Sequence, residues 1–263
     1  MTSLQDRVMS MHDSKFIISC PARSGSTMLV HLLRSNPEVL CHGEVFGLEG
    51  KVGHLVGSCA AQRKVWDQEL EQEFWTYSQC RPEGFLYDVV FNPQGRRLVG
   101  FKFKTDEAFD PKYQAVLDLM KRDASIKVIH LRRRNLLDQY ISLQVVHTQT
   151  GLTLLTEGQA RPDVRPLTIN IPHMLHFFAD VMHREALAMQ AYADHPQIVV
   201  DYEDLVDPEN DAQVRLQEFL GLTPVPLTTP TQKIISDNLG LVEGADELFA
   251  NLAERGLTQR AQA

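Results

Sequence analysis

The sequence predicts a single three-layer αβα domain on a mostly parallel central sheet. Short apolar runs alternate with amphipathic helical segments, the pattern that lays helices on both faces of a parallel sheet. Two of these runs end in polar segments suited to anions, each opening directly into a helix, which is where such sheets bind ligands. A chain of 263 residues is long enough for one sizeable core.

Taken in order, Phe16-Ile17-Ile18, ending at Ser19-Cys20, reads as a buried strand, and Pro21 ends its ladder because it has no N–H to donate. Ala22 to Thr27 form a tight polar loop. Met28, Leu29, Leu32 and Leu33 then fall on one face of a helix that Asn36-Pro37 stops. Free N–H groups and the positive end of the helix dipole converge at this loop, which makes it an anion site. Gly25 lets backbone approach the anion, Ser24, Ser26 and Thr27 add hydroxyl donors, and Arg23 adds a planar charged fork. A capped helix beside a solvated arginine would use the same residues. The nucleotide-triphosphate P-loop, G-x-x-x-x-G-K-[ST], is the nearest rival motif, but its first glycine and its lysine are missing.

After the helix, Cys41 to Phe46 place Glu44 in a glycine-flanked loop, with His42 two residues away as the alternative base. Gly47 to Gly57 is glycine-rich. Trp66, Leu70 and Phe74 recur every four residues and predict an amphipathic helix over Ala60 to Tyr77, and Pro82 to Phe91 predicts a shorter one. Leu98 to Lys104 reads as an alternating strand, with Lys102 and Lys104 on one face and Phe101 and Phe103 on the other. Asp110-Pro111 starts a helix whose buried face is Val116, Leu117 and Met120. Ile126 to Leu131 is a third strand.

The second polar segment follows at once, with Arg132, Arg133 and Arg134. Three arginines at a strand end are costly to place together unless an anion neutralises them. Asn135 is an N-cap with Asp138 at N3, as in a capping box, and Leu137, Ile141 and Val145 run down one helix face. Thr148 to Asn170 is a long loop with little periodicity. Pro172 opens a helix to about Asp194, and Ile198-Val199-Val200 is a fourth strand. Tyr202 to Leu205 leads into a helix ending at Leu220, with Gly221 at its C′ position. The tail from Thr229 to Leu241 carries Lys233, and a terminal amphipathic helix spans Ala245 to Glu254.

Lys plus Arg number 26 against 34 Asp plus Glu, for a net charge of −8, which argues against nucleic-acid binding. Cys20, Cys41, Cys59 and Cys80 form no C-x-x-C pair, and no zinc or other metal site is expected. The first fourteen residues lack the apolar core of a signal peptide, and no apolar run is long enough to span a membrane, so a cytoplasmic location is expected.

Pro21 to Thr27, PARSGST, resembles the 5′-phosphosulfate loop of sulfotransferases that use 3′-phosphoadenosine 5′-phosphosulfate (PAPS). Arg134 and Ser142, eight positions apart after a strand, resemble the 3′-phosphate motif of the same family. The string RRRNLLDQYIS is most similar to the bacterial branch that includes nodulation-factor and trehalose sulfotransferases. The resemblance covers nearly the whole chain, and its two motifs, about 110 residues apart, are jointly specific. It implies a P-loop-like sulfotransferase fold in which residues 14–147 bind the cofactor phosphates. Residues 148–263 would supply an acceptor loop, the YEDL segment and a tail covering the cofactor.

By the same resemblance, PAPS is the donor and PAP the product. Arg23, Ser24, Gly25, Ser26, Thr27, Arg134, Ser142 and Lys233 contact the cofactor, Glu44 is the base, and Lys102 and Arg23 stabilise the transferring group. No metal is implied. The acceptor would be a small molecule or a glycolipid, with a carbohydrate hydroxyl favoured. A phosphotransferase on a P-loop-like fold and a non-catalytic PAP-binding protein remain as alternatives, and the sequence does not give the oligomeric state.

Overall fold

Five parallel strands form the central sheet of the computed structural model, which describes residues 15–46, 68–235 and 238–258. They are β1 (Lys15–Cys20), β2 (Val39–Glu44), β3 (Leu98–Lys104), β4 (Lys127–Arg132) and β6 (Gln197–Asp201), in the spatial order β2-β3-β1-β4-β6. A two-residue strand, β5 (Leu155–Thr156), lies outside this sheet and pairs antiparallel with β7 (Thr231–Gln232). Helices α1 (Ser26–Ser35), α2 (Gln68–Cys80), α3 (Gln114–Arg122), α4 (Leu136–Val145) and α5 (Ile171–Ala191) precede β6. After β6 come α6 (Tyr202–Val206), α7 (Ala212–Leu220) and α8 (Ala245–Glu254). The expected first fourteen residues, the Gly47 to Gly57 stretch, Cys59 and the start of the Ala60 to Tyr77 helix lie outside the described residues.

The central strands are apolar throughout because both their faces are covered. In β1, Ile17 packs with Phe101, Phe103 and Val128 on the face carrying α3, whereas Phe16, Ile18 and Cys20 pack with α1 and α7 on the other. A third cluster joins α4, α5 and α8. The alternation in β3 came out as the sequence predicts, with Phe101 and Phe103 buried against α3. Lys102 points to the α1 face and is itself buried, not left in water. Gly100 has a steric role, because a Cβ there would lie 2.4 Å from the Phe16 carbonyl oxygen.

The sheet has one strand more than the four expected. Val39–Glu44 is an edge strand, not a loop, paired to β3 with a register shift between His42 and Glu44. Its sequence, VLCHGE, hides it. The apolar run is short, and the glycine that reads as a loop residue sits at the irregularity. Pro82–Gly84 runs into a π-helical turn, Phe85–Val90, where a short helix was expected. Asp110 caps a 3-10 turn that leads into α3. Gly221 closes α7 in the left-handed conformation, with φ 81°. Among the described residues, no helix is long and apolar enough to cross a membrane.

The long segment after α4 is tied to the tail. Besides the β5–β7 pair, Leu167 N–H donates to the Leu241 carbonyl, and Glu243 N–H donates to Leu167 in return. The segment after α4 is thereby joined to residues 231–232 and 241–243, and its Thr153 carbonyl reaches Arg23 at the end of β1.

Candidate active site

The first polar loop sits at the C-terminal end of β1, the strand flanked by β3 and β4, where the chain changes direction through the sheet. Arg23 (φ 61°) and Gly25 (φ 85°) are both left-handed. For arginine that conformation costs about 1–2 kcal/mol, so the surrounding contacts must hold it. Gln139 Nε2 donates to the Ala22 carbonyl at 2.6 Å, and Arg133 Nη1 donates to the Arg23 carbonyl at 3.3 Å. Ser24 Oγ turns inward to the Pro21 carbonyl. Gly25 is required twice over, by its φ and because a Cβ would sit 2.2 Å from the Tyr202 ring.

Helix α1 begins at Ser26 with no side-chain cap and no acid in its first turn. Its leading N–H groups therefore keep their positive potential, as an anion site requires.

Arg23 reaches across to α4. Its Nε and Nη2 both lie 3.1 Å from Ser142 Oγ, and Nη1 donates to the Thr153 carbonyl at 2.9 Å. Burial, and then the neighbouring Arg133, hold this guanidinium below its ordinary pKa, while Glu44 opposes the shift. Ser142 thus meets Arg23, the charged residue of the first motif.

Arg134, its partner by sequence spacing, turns away. Arg134 Nη1 lies 2.8 Å from Asp204 and 3.5 Å from Asp201, and its backbone N–H donates to Glu203. The anion expected to neutralise the three arginines is supplied by the protein. Arg132 pairs with Asp201 at 3.2 Å, and Arg133 pairs with Asp138 at 3.0 Å while its guanidinium carbon lies 5.0 Å from the Tyr202 ring centroid. The capping box is half formed as a result. Asn135 accepts from Asp138 N–H, but the Asp138 carboxylate goes to Arg133, and Asn135 N–H donates to Glu203.

Glu44 ends β2 directly opposite Lys102 of β3. Its Oε1 lies 2.6 Å from Lys102 Nζ and its Oε2 lies 3.3 Å from Lys104 Nζ. Burial works to raise its pKa, but the two lysines outweigh it and hold the carboxyl below its usual value. Lys102 Nζ is also 3.4 Å from Thr27 Oγ1 in the first turn of α1, so it bridges the carboxylate and the helix N-terminus. Lys104 Nζ also reaches Glu107, at 3.0 Å.

His42, the alternative base, faces away from solvent. It is fully buried in β2, its Nε2 lies 3.0 Å from the Val90 carbonyl, and burial pushes its pKa down to about 4. Lys233 follows β7 and is exposed, with its ammonium 5.7 Å from the Tyr202 ring centroid.

Sequence reading named Arg133 only as one of three arginines and Tyr202 only within the YEDL segment, and it passed over Gln139 and Glu107. Tyr202 had a visible sign, since YEDL follows a strand as the two polar segments do. Gln139 and Glu107 had none, because each matters through a contact with residues that only the fold brings near. Among the described residues, no group of three or more His, Cys, Asp or Glu side chains is arranged to hold a metal ion.

The arrangement presents a cationic, N–H-rich cradle beside a carboxylate that faces it across one lysine. Such a site can bind an oxyanion and, if the carboxylate is released, accept a proton next to it. No family model matches the chain, and no curated protein matches it. Among solved structures, a sulfotransferase from Alicyclobacillus acidocaldarius is similar at 17% identity, with 94% of this chain and 96% of that chain covered and a TM-score of 0.42.

Proposed function

We propose that this chain is a sulfotransferase that moves the sulfuryl group of PAPS to an acceptor hydroxyl, leaving PAP. The observation that carries this reading is the 3.1 Å contact between Arg23 and Ser142, which joins the two motifs over the uncapped start of α1. The 5′-phosphosulfate would lie on the Arg23 to Thr27 loop. The 3′-phosphate would be taken by Ser142 and by Arg134 turned from its carboxylates, and the Lys233 tail would cover the nucleotide. Residues 148–263 would shape the acceptor side. The branch resemblance favours a carbohydrate or glycolipid hydroxyl, the net charge of −8 argues against a nucleic-acid partner, and the enzyme is proposed to be cytoplasmic.

In the proposed reaction, the acceptor oxygen attacks sulfur in line with the phosphate. A new S–O bond forms as the S–O bond to the 5′-phosphate breaks, and the electron pair leaves on the phosphate. Arg23, Lys102 and the loop N–H groups offset the charge that builds there. Arginine is not a proton donor at neutral pH, so the role of Arg23 is electrostatic. The acceptor proton passes to Glu44. No divalent metal is required, because a sulfuryl group carries less charge than a phosphoryl group.

Glu44→Gln tests the reading. It keeps the shape but removes the basic oxygen, so kcat with PAPS and a sugar acceptor should fall about 10²–10⁴-fold, while PAP affinity stays near wild type. Because Glu44 is held below its usual pKa in the free protein, it remains ionised there through the weakly acidic range, and the acid limb of wild-type kcat/KM should begin below the ordinary carboxylate value. Unchanged kcat in Glu44→Gln would remove Glu44 as the base, and activity lost to EDTA and restored by Mg²⁺ would move the chain to the phosphotransferase class.

A further inference from the structure

Four charged groups at and just after the ends of β2 and β3 form a row that starts at the Thr27 hydroxyl of α1: Thr27, Lys102, Glu44, Lys104 and Glu107, each within 3.4 Å of the next. The two lysines hold Glu44 differently. Lys102 bonds one oxygen and otherwise meets a hydroxyl at the anion cradle, so an arriving anion competes directly for it. Lys104 is anchored behind. Glu107 is fully buried, takes the Lys104 ammonium at 3.0 Å and accepts the Lys104 backbone N–H at 3.3 Å. The backbone N–H and the ammonium of Lys104 are thus both held by one buried carboxylate, and the same ammonium lies 3.3 Å from Glu44 Oε2.

We infer that Lys104, anchored by Glu107, is a positioning residue for Glu44. It fixes Oε2, so that Oε1 is the oxygen laid open when Lys102 turns to the donor. The inference rests on the reading of Glu44 as the base.

The electrostatics agree with this division. Burial opposes the charged form of Lys104, but Glu107 and then Glu44 outweigh it and hold the ammonium above its usual range. Burial pushes the Glu107 carboxyl up to about 7 against the pull of Lys104. Glu107 faces Lys104 and Glu44 from the strands, Asp106 adjoins it in sequence, and Tyr113 faces it from the turn before α3. Glu44 faces both lysines and, from the loop, Arg23. When Glu107 ionises it claims more of Lys104, and Glu44 should register the change.

The test is a ¹³C NMR titration of glutamate carboxyls in the full chain, with the Glu44 signal assigned by its loss in Glu44→Gln. Wild type should show the main Glu44 step at low pH and a smaller second inflection where Glu107 titrates. Lys104→Met should raise the main midpoint by about one pH unit, since an opposite charge in contact is lost, and should abolish the second inflection. Glu107→Gln should keep the main midpoint and lose the inflection. An unmoved Glu44 midpoint in Lys104→Met, or an inflection that survives Glu107→Gln, overturns the inference. If the buried substitution does not fold, the Lys104→Met midpoint decides it alone.

Adding PAP separates this inference from the reading beneath it. In wild type, PAP should draw Lys102 away and raise the Glu44 midpoint. If the variants shift as expected but PAP moves nothing, the positioning role stands and the donor assignment falls.

Discussion

Two arginine-bearing regions share one edge of the sheet and differ in what answers their charge. At the end of β1, the Arg23 guanidinium bonds a hydroxyl and a backbone carbonyl, both neutral. At the ends of β4 and β6, Arg132 and Arg134 face Asp201, Glu203 and Asp204. Among the described residues, no carboxylate meets the charge of the first region by direct contact, whereas the second is balanced within the protein. A cationic side chain marks an anion site when its neighbours leave its charge unanswered, and counting arginines along the chain does not show that.

The largest expected effect lies in the first region. Arg23→Ala should weaken PAP binding by about 2–4 kcal/mol, because a half-buried charge-assisted partner of the anion is lost. Calorimetry on the folded variant measures it. An affinity within twofold of wild type would remove the distinction between the two regions. Arg134→Ala should cost less, about 1–2 kcal/mol, since part of its binding energy is spent on leaving Asp204 and Asp201. A loss as large as that of Arg23→Ala would mean that the carboxylates hold Arg134 weakly.

Much of this contrast was legible in the sequence, up to a definite point. The strand–loop–helix unit from Lys15, the helix from Asn135 and the left-handed Gly221 all follow from local chemistry, and all are found. The three-layer fold follows from strand–helix alternation. Glu44 was singled out by residue type, but its setting was misjudged. Burial of β2 and its pairing to Lys102 are long-range facts, and a six-residue stretch with a histidine and a glycine does not announce them. The same holds for Arg134. Its spacing to Ser142 is local and readable, but the acids that take it come from about 70 residues later, and Ser142 is taken by a residue 119 positions earlier. Motif spacing specifies which residues share a helix turn, while the partners of a long charged side chain are set by strand order.

The smallest effect is the most discriminating. Asp204 takes Arg134 Nη1 at 2.8 Å, and the arginine side chain is 41% exposed. Water screens such a pair, so Asp204→Asn should change stability by about 1 kcal/mol or less, a small fall in melting temperature. Its effect on binding should have the opposite sign. With Asp204 neutral, the Arg134 side chain keeps, among the described residues, the 3.5 Å contact to Asp201 and the 4.0 Å approach of Glu203, so turning to an anion costs less. PAP affinity should therefore rise by about 0.5–1 kcal/mol, two- to fivefold, a gain that shrinks as salt screens the charges. In an Arg134→Ala background the gain should vanish, since the arginine it releases is absent. If Asp204→Asn weakens PAP binding, or strengthens it equally without Arg134, then the carboxylates at the end of β6 do not restrain this arginine, and the two regions differ in sequence alone.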